Sequence, residues 1–423
     1  MNEDFLQYIW ANALFKSMEC TTTTGKRIRV ARVGEQNRDS GPDFSDARIE
    51  TGGFLIAGTV EVHVNGSDWA RHGHHKDPAY DNVILSVVKN DDAEVYTSKG
   101  RRVDTLVLQY DERLLEEYLY TRETPDMPRC HRWLQRIDPL KLELALTGYA
   151  VERLERKCDD VYRLLEANRG DWEATLFGMI TRYWSGNLNA DAFAMLARAL
   201  SYKQARRDGE SLFRAEAMLL GISGLLGAGE RDEHVDALRA EYDYLASKHG
   251  LKTMPPACWK FSRVRPTSFP TVRIALLAAL WCRSGFLFSG VLEASSAADA
   301  MRQFDVSASP YWDTRYLLGR PSAHQVKRVG KTLQRLLVVN AIAPFLFVYG
   351  RERGEEALRE KALQWLEELP PETNRVTRNW ERCGVVPRSA LHAQALLQLH
   401  QEYCLPRRCV HCKPGREMFK MIT

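Results

Sequence analysis

The period of the hydrophobic pattern switches from two to helical along this chain, and that switch limits it to an α/β unit followed by a helical one. Residues 3–17 carry Phe5, Leu6, Ile9, Trp10, Ala13 and Leu14 at helical spacing. The period then drops to two. "RIRVARV", "ARIETGG", "FLIAGTVEVHV", "NVILSVVKN" and "RVDTLVLQY" read as strands, separated by clusters of Gly, Asn, Asp and Ser. Between the third and fourth lies "NGSDWARHGHHKDPAYD", which predicts a short helix or ordered loop capped by Ser67 or Asp68. Residues 121–130, with two prolines, read as a linker. From about residue 139 the period is helical almost to the end, opening with a long helix that stops at Gly170. No fixed-period repeat signals a solenoid. The expected division is an α/β domain over 1–118, a mixed sheet with flanking helices, and a mostly helical domain over 131–423.

At 423 residues, 44% hydrophobic and 27% charged, the chain has the composition of an ordered globular protein and lacks the low hydrophobicity of disorder. Its start, "MNEDFLQYIW", has acids where a secretory segment would have Lys or Arg. The longest apolar runs, "IALLAALWC" and "LLVVNAIAPFLFVYG", fall short of the roughly 20 residues a bilayer span needs. Nine cysteines, an odd number, argue against a closed disulfide framework. These features predict a cytoplasmic protein without a membrane segment.

The net charge of +4 is too small to imply a polyanionic partner, but its distribution is uneven. Residues 259–273 and 320–335 lack acids, and Arg263, Arg265, Arg273, Lys327 and Arg328 in them are candidate contacts to a nucleic-acid backbone. Solvated faces and helix C-termini, which favour cations, account for the same pattern equally well.

In "GTVEVHV" the alternation of a strand places Val60, Val62 and Val64 on one face and Glu61 and His63 on the other, about 7 Å apart. Four of the eleven histidines, His63, His72, His74 and His75, fall between residues 63 and 75. Imidazole and carboxylate suit zinc or another transition metal, so His63, His72 and His74 with Glu61 form one candidate set. Asp68 and Trp69 in the same segment are candidates to support the site or contact substrate, or else they cap and pack the crossover. The bland alternative for Glu61 and His63 is a solvated strand face.

The tail "YCLPRRCVHC" holds Cys404, Cys409 and Cys412 in a C-x4-C-x2-C spacing. Thiols this close are candidate ligands for Zn²⁺ or an iron–sulfur cluster, with Cys130, Cys383 or His411 as the fourth. Reduced thiols in a packed terminus are the alternative.

Asp43 after Pro42, Glu61 eighteen residues later, and His63 two further on resemble the PD-(D/E)XK nuclease motif, within the element order of an initial helix followed by strands. That resemblance implies a restriction-endonuclease-like α/β domain in which Asp43 and Glu61 bind Mg²⁺ or Mn²⁺. It puts His63 where lysine is usual, and it makes Glu3 or Asp4 the helix-borne acid. Some such nucleases also close their ends with a [4Fe–4S] cluster held by one upstream and three C-terminal cysteines, in a different spacing.

Longer blocks, "GPDFSDARI", "GTVEVHVNGSDWARHGHHKDPAYDNVILSVV", "WKFSRVRPTSFPTVRIA", "YWDTRYLLG", "VVNAIAPFLFVYG" and "EYCLPRRCVHC", resemble the bacterial domain-of-unknown-function family 2851 over nearly residues 1–415. Ser86 stands where that family tends to have His, and Ser268 where it tends to have Asn. The expected function is a nucleic-acid-processing, metal-dependent phosphodiesterase using Asp43, Glu61 and His63. Two alternatives are a catalytically inactive nucleic-acid-binding or scaffold protein with a structural metal in its tail, and a zinc hydrolase using His63, His72 and His74.

Overall fold

The computed structural model describes residues 3–37, 39–123, 127–186, 188–199, 202, 211–283 and 287–422. The chain forms two compact units. The first comprises residues 1–145, 375–386 and 399–423, and the second residues 146–374 and 387–398. This differs from the sequence-based division, because two C-terminal stretches, the cysteine tail among them, pack with the first unit. Local periodicity reports each helix but not its partner, so the return of the chain end was not legible.

The first unit is built on a seven-stranded mixed sheet. Its strands are β1 (Glu19–Thr21), β2 (Arg27–Arg32), β3 (Glu35–Gln36), β4 (Phe44–Thr51), β5 (Phe54–Asn65), β6 (Val83–Asn90) and β7 (Thr105–Val107). The spatial order is β1-β2-β4-β5-β6-β7, with β3 also paired to β4. β1 through β5 pair antiparallel, whereas β5, β6 and β7 run parallel. Antiparallel neighbours need only a tight turn, here Gly52 and Gly53, both with positive φ. The parallel pair needs a crossover, supplied by residues 66–82 with the short helix α2 (Asp68–Arg71).

β5 is buried on both faces in its second half. Val60 and Val62 are fully enclosed, and so are Glu61 and His63. Helices α1 (Glu3–Ala11) and α2 both contact this strand. The polar side of the amphipathic strand therefore looks into the protein, and the solvated-face alternative does not hold.

α1 ends at Ala11, six residues earlier than its hydrophobic pattern predicts. Ala13 adopts a left-handed backbone (φ 49°), and Phe15 turns back to bridge Tyr110 and stack on Trp10. The apolar residues beyond Ala11 thus pack the same core from extended backbone.

The second unit is helical. Its core holds Trp184, Trp312, Trp365, Phe193, Phe304 and Phe345, all fully buried. The helix Leu212–Ile222 packs against Pro270–Cys282 and Glu233–His249. A continuous helical run over Lys331–Arg353, through a π-helical turn at Val338–Ile342, is 23 residues long and apolar enough to cross a membrane. The sequence reading saw only its apolar run, residues 336–350, and so judged it too short for a span. In this unit 78% of its most apolar window is buried, as in the core helix of a folded domain.

Candidate metal centre

Pairing of Phe44 with Val60 sets Asp43, one residue before β4, beside Glu61 on β5. The two acids dock reciprocally. The Asp43 main-chain N–H donates to Glu61 Oε2 at 2.9 Å, and the Val62 N–H donates to Asp43 Oδ2 at 3.0 Å. A register shift between Phe44 and Ala47, with Asp46 at φ 51°, lets the chain leave the ladder here. Gln7 Nε2 on α1 donates to Asp43 Oδ1 at 2.7 Å.

Burial pushes the Asp43 carboxyl up to about 7, and the neighbouring Glu61 charge adds to it. Glu3, at the start of α1, is likewise pushed up to about 7 by burial, then by Glu61, Asp68 and Asp4. Glu3, Asp43 and Glu61 thus share one electrostatic environment. Concentrated anionic charge without compensation is what a bound cation relieves.

The histidines complete the site. One ligand nitrogen each from His63, His72 and His74 lies within 4.8 Å of the other two. Glu61 Oε1 is 3.3 Å from His74 Nε2 and 3.6 Å from His63 Nε2. His63 is fully enclosed, and both its ring nitrogens lack a hydrogen-bond partner. Such orphaned groups are rare in native structures and ask for a reason. Burial pulls the His63 imidazole down to about 3, with His74 and His72 adding to the shift. A neutral ring offers one nitrogen lone pair to a metal ion and is a poor substitute for the permanent charge of lysine. His72 is exposed, which leaves the trio open to solvent on one side.

Aromatic neighbours hold the imidazoles. Trp69 meets His74 edge-on at 5.3 Å and His63 at 6.3 Å, and its Nε1–H donates to the Tyr96 carbonyl at 2.9 Å. Tyr80 stacks on His74 at 3.8 Å. Asp68 is buried, accepts from the Asn65 main-chain N–H at 3.0 Å and pairs with Arg71 at 2.8 Å, so it closes the turn out of β5. Gln7 and Tyr80 were missed from sequence. The signal for Gln7 was its position four residues after Glu3, on the same helix face.

Other candidates lie elsewhere. Cys130, Cys404, Cys409 and Cys412 form a second group in the first unit. Cys383 is buried and donates its S–H to the Asn379 carbonyl at 3.0 Å, and His411 is exposed. Arg263, Arg265, Arg273, Lys327 and Arg328 belong to the second unit. Arg263, Arg265 and Arg328 are exposed. Lys327 is buried, its Nζ donating to the Gln325 and Asp313 carbonyls at 2.8 and 3.2 Å above the Tyr316 ring. Arg273 is half-buried and donates to Ser268 Oγ at 3.1 Å. Those two cations serve the fold of their own unit.

Three imidazoles and a carboxylate suit a borderline transition ion such as Zn²⁺ or Mn²⁺. The acids Glu3, Asp43 and Glu61 on the adjoining side offer oxygens to a harder ion, Mg²⁺ or Mn²⁺. No curated protein and no solved structure matches the chain. The family model described as "Protein of unknown function (DUF2851)" matches residues 3–375, which take in the acids, the histidine trio and Cys130 and end before Cys404. The chain therefore belongs to the DUF2851 family.

Proposed function

We propose that the first unit is a metal-dependent hydrolase that cleaves phosphodiester bonds of nucleic acid. The observation that carries this reading is the position of Glu61, one carboxylate shared between the Asp43 main chain on one side and the His63, His74 pair on the other. Glu61 with His63, His72 and His74 would hold a Zn²⁺ or Mn²⁺ ion, and Asp43 with Glu3 supplies oxygens for Mg²⁺ or Mn²⁺ beside it. Such an ion supplies charge neutralisation on the phosphoryl group and a more acidic water.

The chain's own residues orient and enclose. Gln7 fixes the rotation of Asp43, Trp69 and Tyr80 fix the imidazole planes, and His72 at the open edge faces incoming substrate. His63, held neutral by burial, serves as a ligand in this reading instead of a base.

Cleavage of single-stranded DNA, duplex DNA and RNA, with Mg²⁺, Mn²⁺ or Zn²⁺ added in turn, tests it. Parent protein should produce metal-dependent products that vanish in Glu61→Gln and Asp43→Asn, with circular dichroism unchanged. Salt-sensitive binding without product for every metal would replace it with the second reading, a non-catalytic nucleic-acid-binding protein. That reading is favoured by His63 in place of a permanent cation.

A further inference from the structure

β5 changes character along its length. From Val60 to His63 it is enclosed, whereas its first four residues, Phe54, Leu55, Ile56 and Ala57, are all exposed. Phe54 shows 74% of its surface, Leu55 56% and Ile56 40%, so three large apolar side chains in a row stand in water. Alternation puts Phe54 and Ile56 on one face of the strand and Leu55 and Ala57 on the other. A half-solvated strand normally turns an apolar face to the core and a polar face to water. Here both faces are apolar and both are bare.

The main chain of this arm is open on one side. Toward β4 it is paired, Thr51 with Phe54, Glu50 with Leu55, Ile49 with Ile56 and Arg48 with Ala57. Toward β6 the ladder starts only at Thr59, opposite Val83. Among the described residues no strand pairs with Phe54–Ala57 on that side, so the arm projects past the start of β6 as an edge. Native proteins protect such edges with Lys, Pro or an inward-pointing charge. Residues 52–60, "GGFLIAGTV", hold none of these.

Charge and shape select the occupant. The cleft that Phe54 and Leu55 line carries Glu19 and Glu50 against Arg27 and Arg29, and Arg29 already donates to Glu50. A nucleic-acid backbone or an anionic bilayer calls for a surplus of cations, which this balance lacks. An open edge with apolar residues on both faces takes an added strand that is apolar on both faces too. The same arm of another copy answers that description, and two uncharged arms meet without repulsion. The register follows from sterics. Identical strands related by a two-fold axis across the sheet pair antiparallel, with one residue facing itself. With Ile56 on the axis, Gly53 of one copy would fall opposite Thr59 of the other, where β6 already sits. With Leu55 on the axis, Phe54 lies opposite Ile56 and Gly53 opposite Ala57, and the turn clears that ladder.

We propose that the Phe54–Ala57 arm pairs with the same arm of a second copy of this chain, antiparallel about a two-fold axis at Leu55. The contact is isologous and closes at two copies. Its small area makes the dimer weak, forming at micromolar concentration instead of being permanent. The pairing joins two sheets into one. Glu61 stands six positions from the axis in each copy, so the two candidate metal centres lie about 40 Å apart along the joined strands. The inference rests on the open edge and holds whether or not the first unit cleaves nucleic acid.

Sedimentation equilibrium of the full chain over about 1–200 µM tests it. The parent should pass from 48.4 kDa toward twice that mass as concentration rises. Leu55→Asp sets two carboxylates face to face on the axis and should weaken the dimer at least about tenfold, with an unchanged melt because the position is exposed. Under mild oxidation Leu55→Cys should form a disulfide-linked dimer above the parent's level, since directly opposed residues have Cα atoms about 4.5–5.5 Å apart. Ala57→Cys, away from the axis, should not. A parent that stays at 48.4 kDa throughout, a dimer indifferent to Leu55→Asp, or equal cross-linking at the two cysteine positions would each overturn the proposal. So would a monomeric parent that binds duplex DNA or phosphatidylserine vesicles in a manner lost in Leu55→Asp. Where Leu55→Asp fails to fold, the cysteine pair decides, and none of these readouts depends on metal or on nuclease activity.

Discussion

Gln7 and Asp43 are joined across 36 positions of sequence by a 2.7 Å hydrogen bond from the Gln7 amide to Asp43 Oδ1. A helix and a strand edge are thereby locked at the point where acids gather. Partners of this kind orient a ligand without touching the ion. Gln7→Ala should weaken Mn²⁺ binding about 10- to 100-fold while the sheet stays folded. Isothermal titration with Mn²⁺, beside a circular dichroism melt, checks it, and unchanged affinity would show that Asp43 needs no such anchor.

The histidine trio makes a separate prediction about stability. Zinc at about 100 times its Kd should add about 2.7 kcal/mol to the first unit, provided the unfolded chain does not bind it. His72→Ala, at the exposed corner, should remove this gain and leave the apo melting temperature within about 2 °C of the parent's, since exposed substitutions cost within about 0.5 kcal/mol. Scanning calorimetry with and without zinc, after chelation, reads both effects.

The pH dependence of the second unit should carry the mark of Glu216. This carboxyl is fully buried, with Oε2 accepting from Ser309 Oγ at 3.1 Å, and burial pushes it from an ordinary 4.5 up to about 7. Its protonated form is favoured in the folded state. The stability it provides is therefore complete below pH 4.5, falls as the unfolded chain ionises first, and is gone once pH has passed about 7. The loss across that window is about 3 kcal/mol. Urea unfolding at pH 5 and pH 8 should show a loss smaller by about 2–3 kcal/mol in Glu216→Gln than in the parent, the part common to both coming from carboxyls such as Glu3 and Asp43 that titrate over the same window.

Gly221 should tolerate no side chain. A Cβ there would fall 2.1 Å from the Tyr242 ring, where the helix Leu212–Ile222 meets Glu233–His249. Gly221→Ala gains helix propensity of about 1 kcal/mol, yet it forces a packed aromatic to move, which costs about 1–3 kcal/mol. A lowered urea midpoint with an unchanged slope is expected. A raised midpoint would mean the ring has room to shift.

Strands whose side chains alternate over a buried half were legible, as β2, β4, β5 and β6 show. β1 and β3, of three and two residues, were not, because so short a run offers too few positions for a period to register. Glu61 and His63 announced themselves as polar residues on an apolar strand. His74 was visible through the density of histidines, but its stacking on Tyr80 depends on how residues 66–82 coil, which no local pattern fixes. The pairing of Cys130 with a tail more than 270 positions away could be nominated from residue type alone. Local sequence gives no ground to prefer it over Cys383 or His411.

β5 is the strand at which the sheet reverses its sense, antiparallel toward β4 and parallel toward β6. The stretch that makes the reversal possible is also the one that brings His72, His74 and Tyr80 back over Glu61. Architecture and chemistry here share a single piece of chain. Shortening that piece to tighten the connection would strip the pocket of its donors. Opening a circularly permuted protein within it should leave a sheet missing its join and a set of nitrogens with nothing to assemble them.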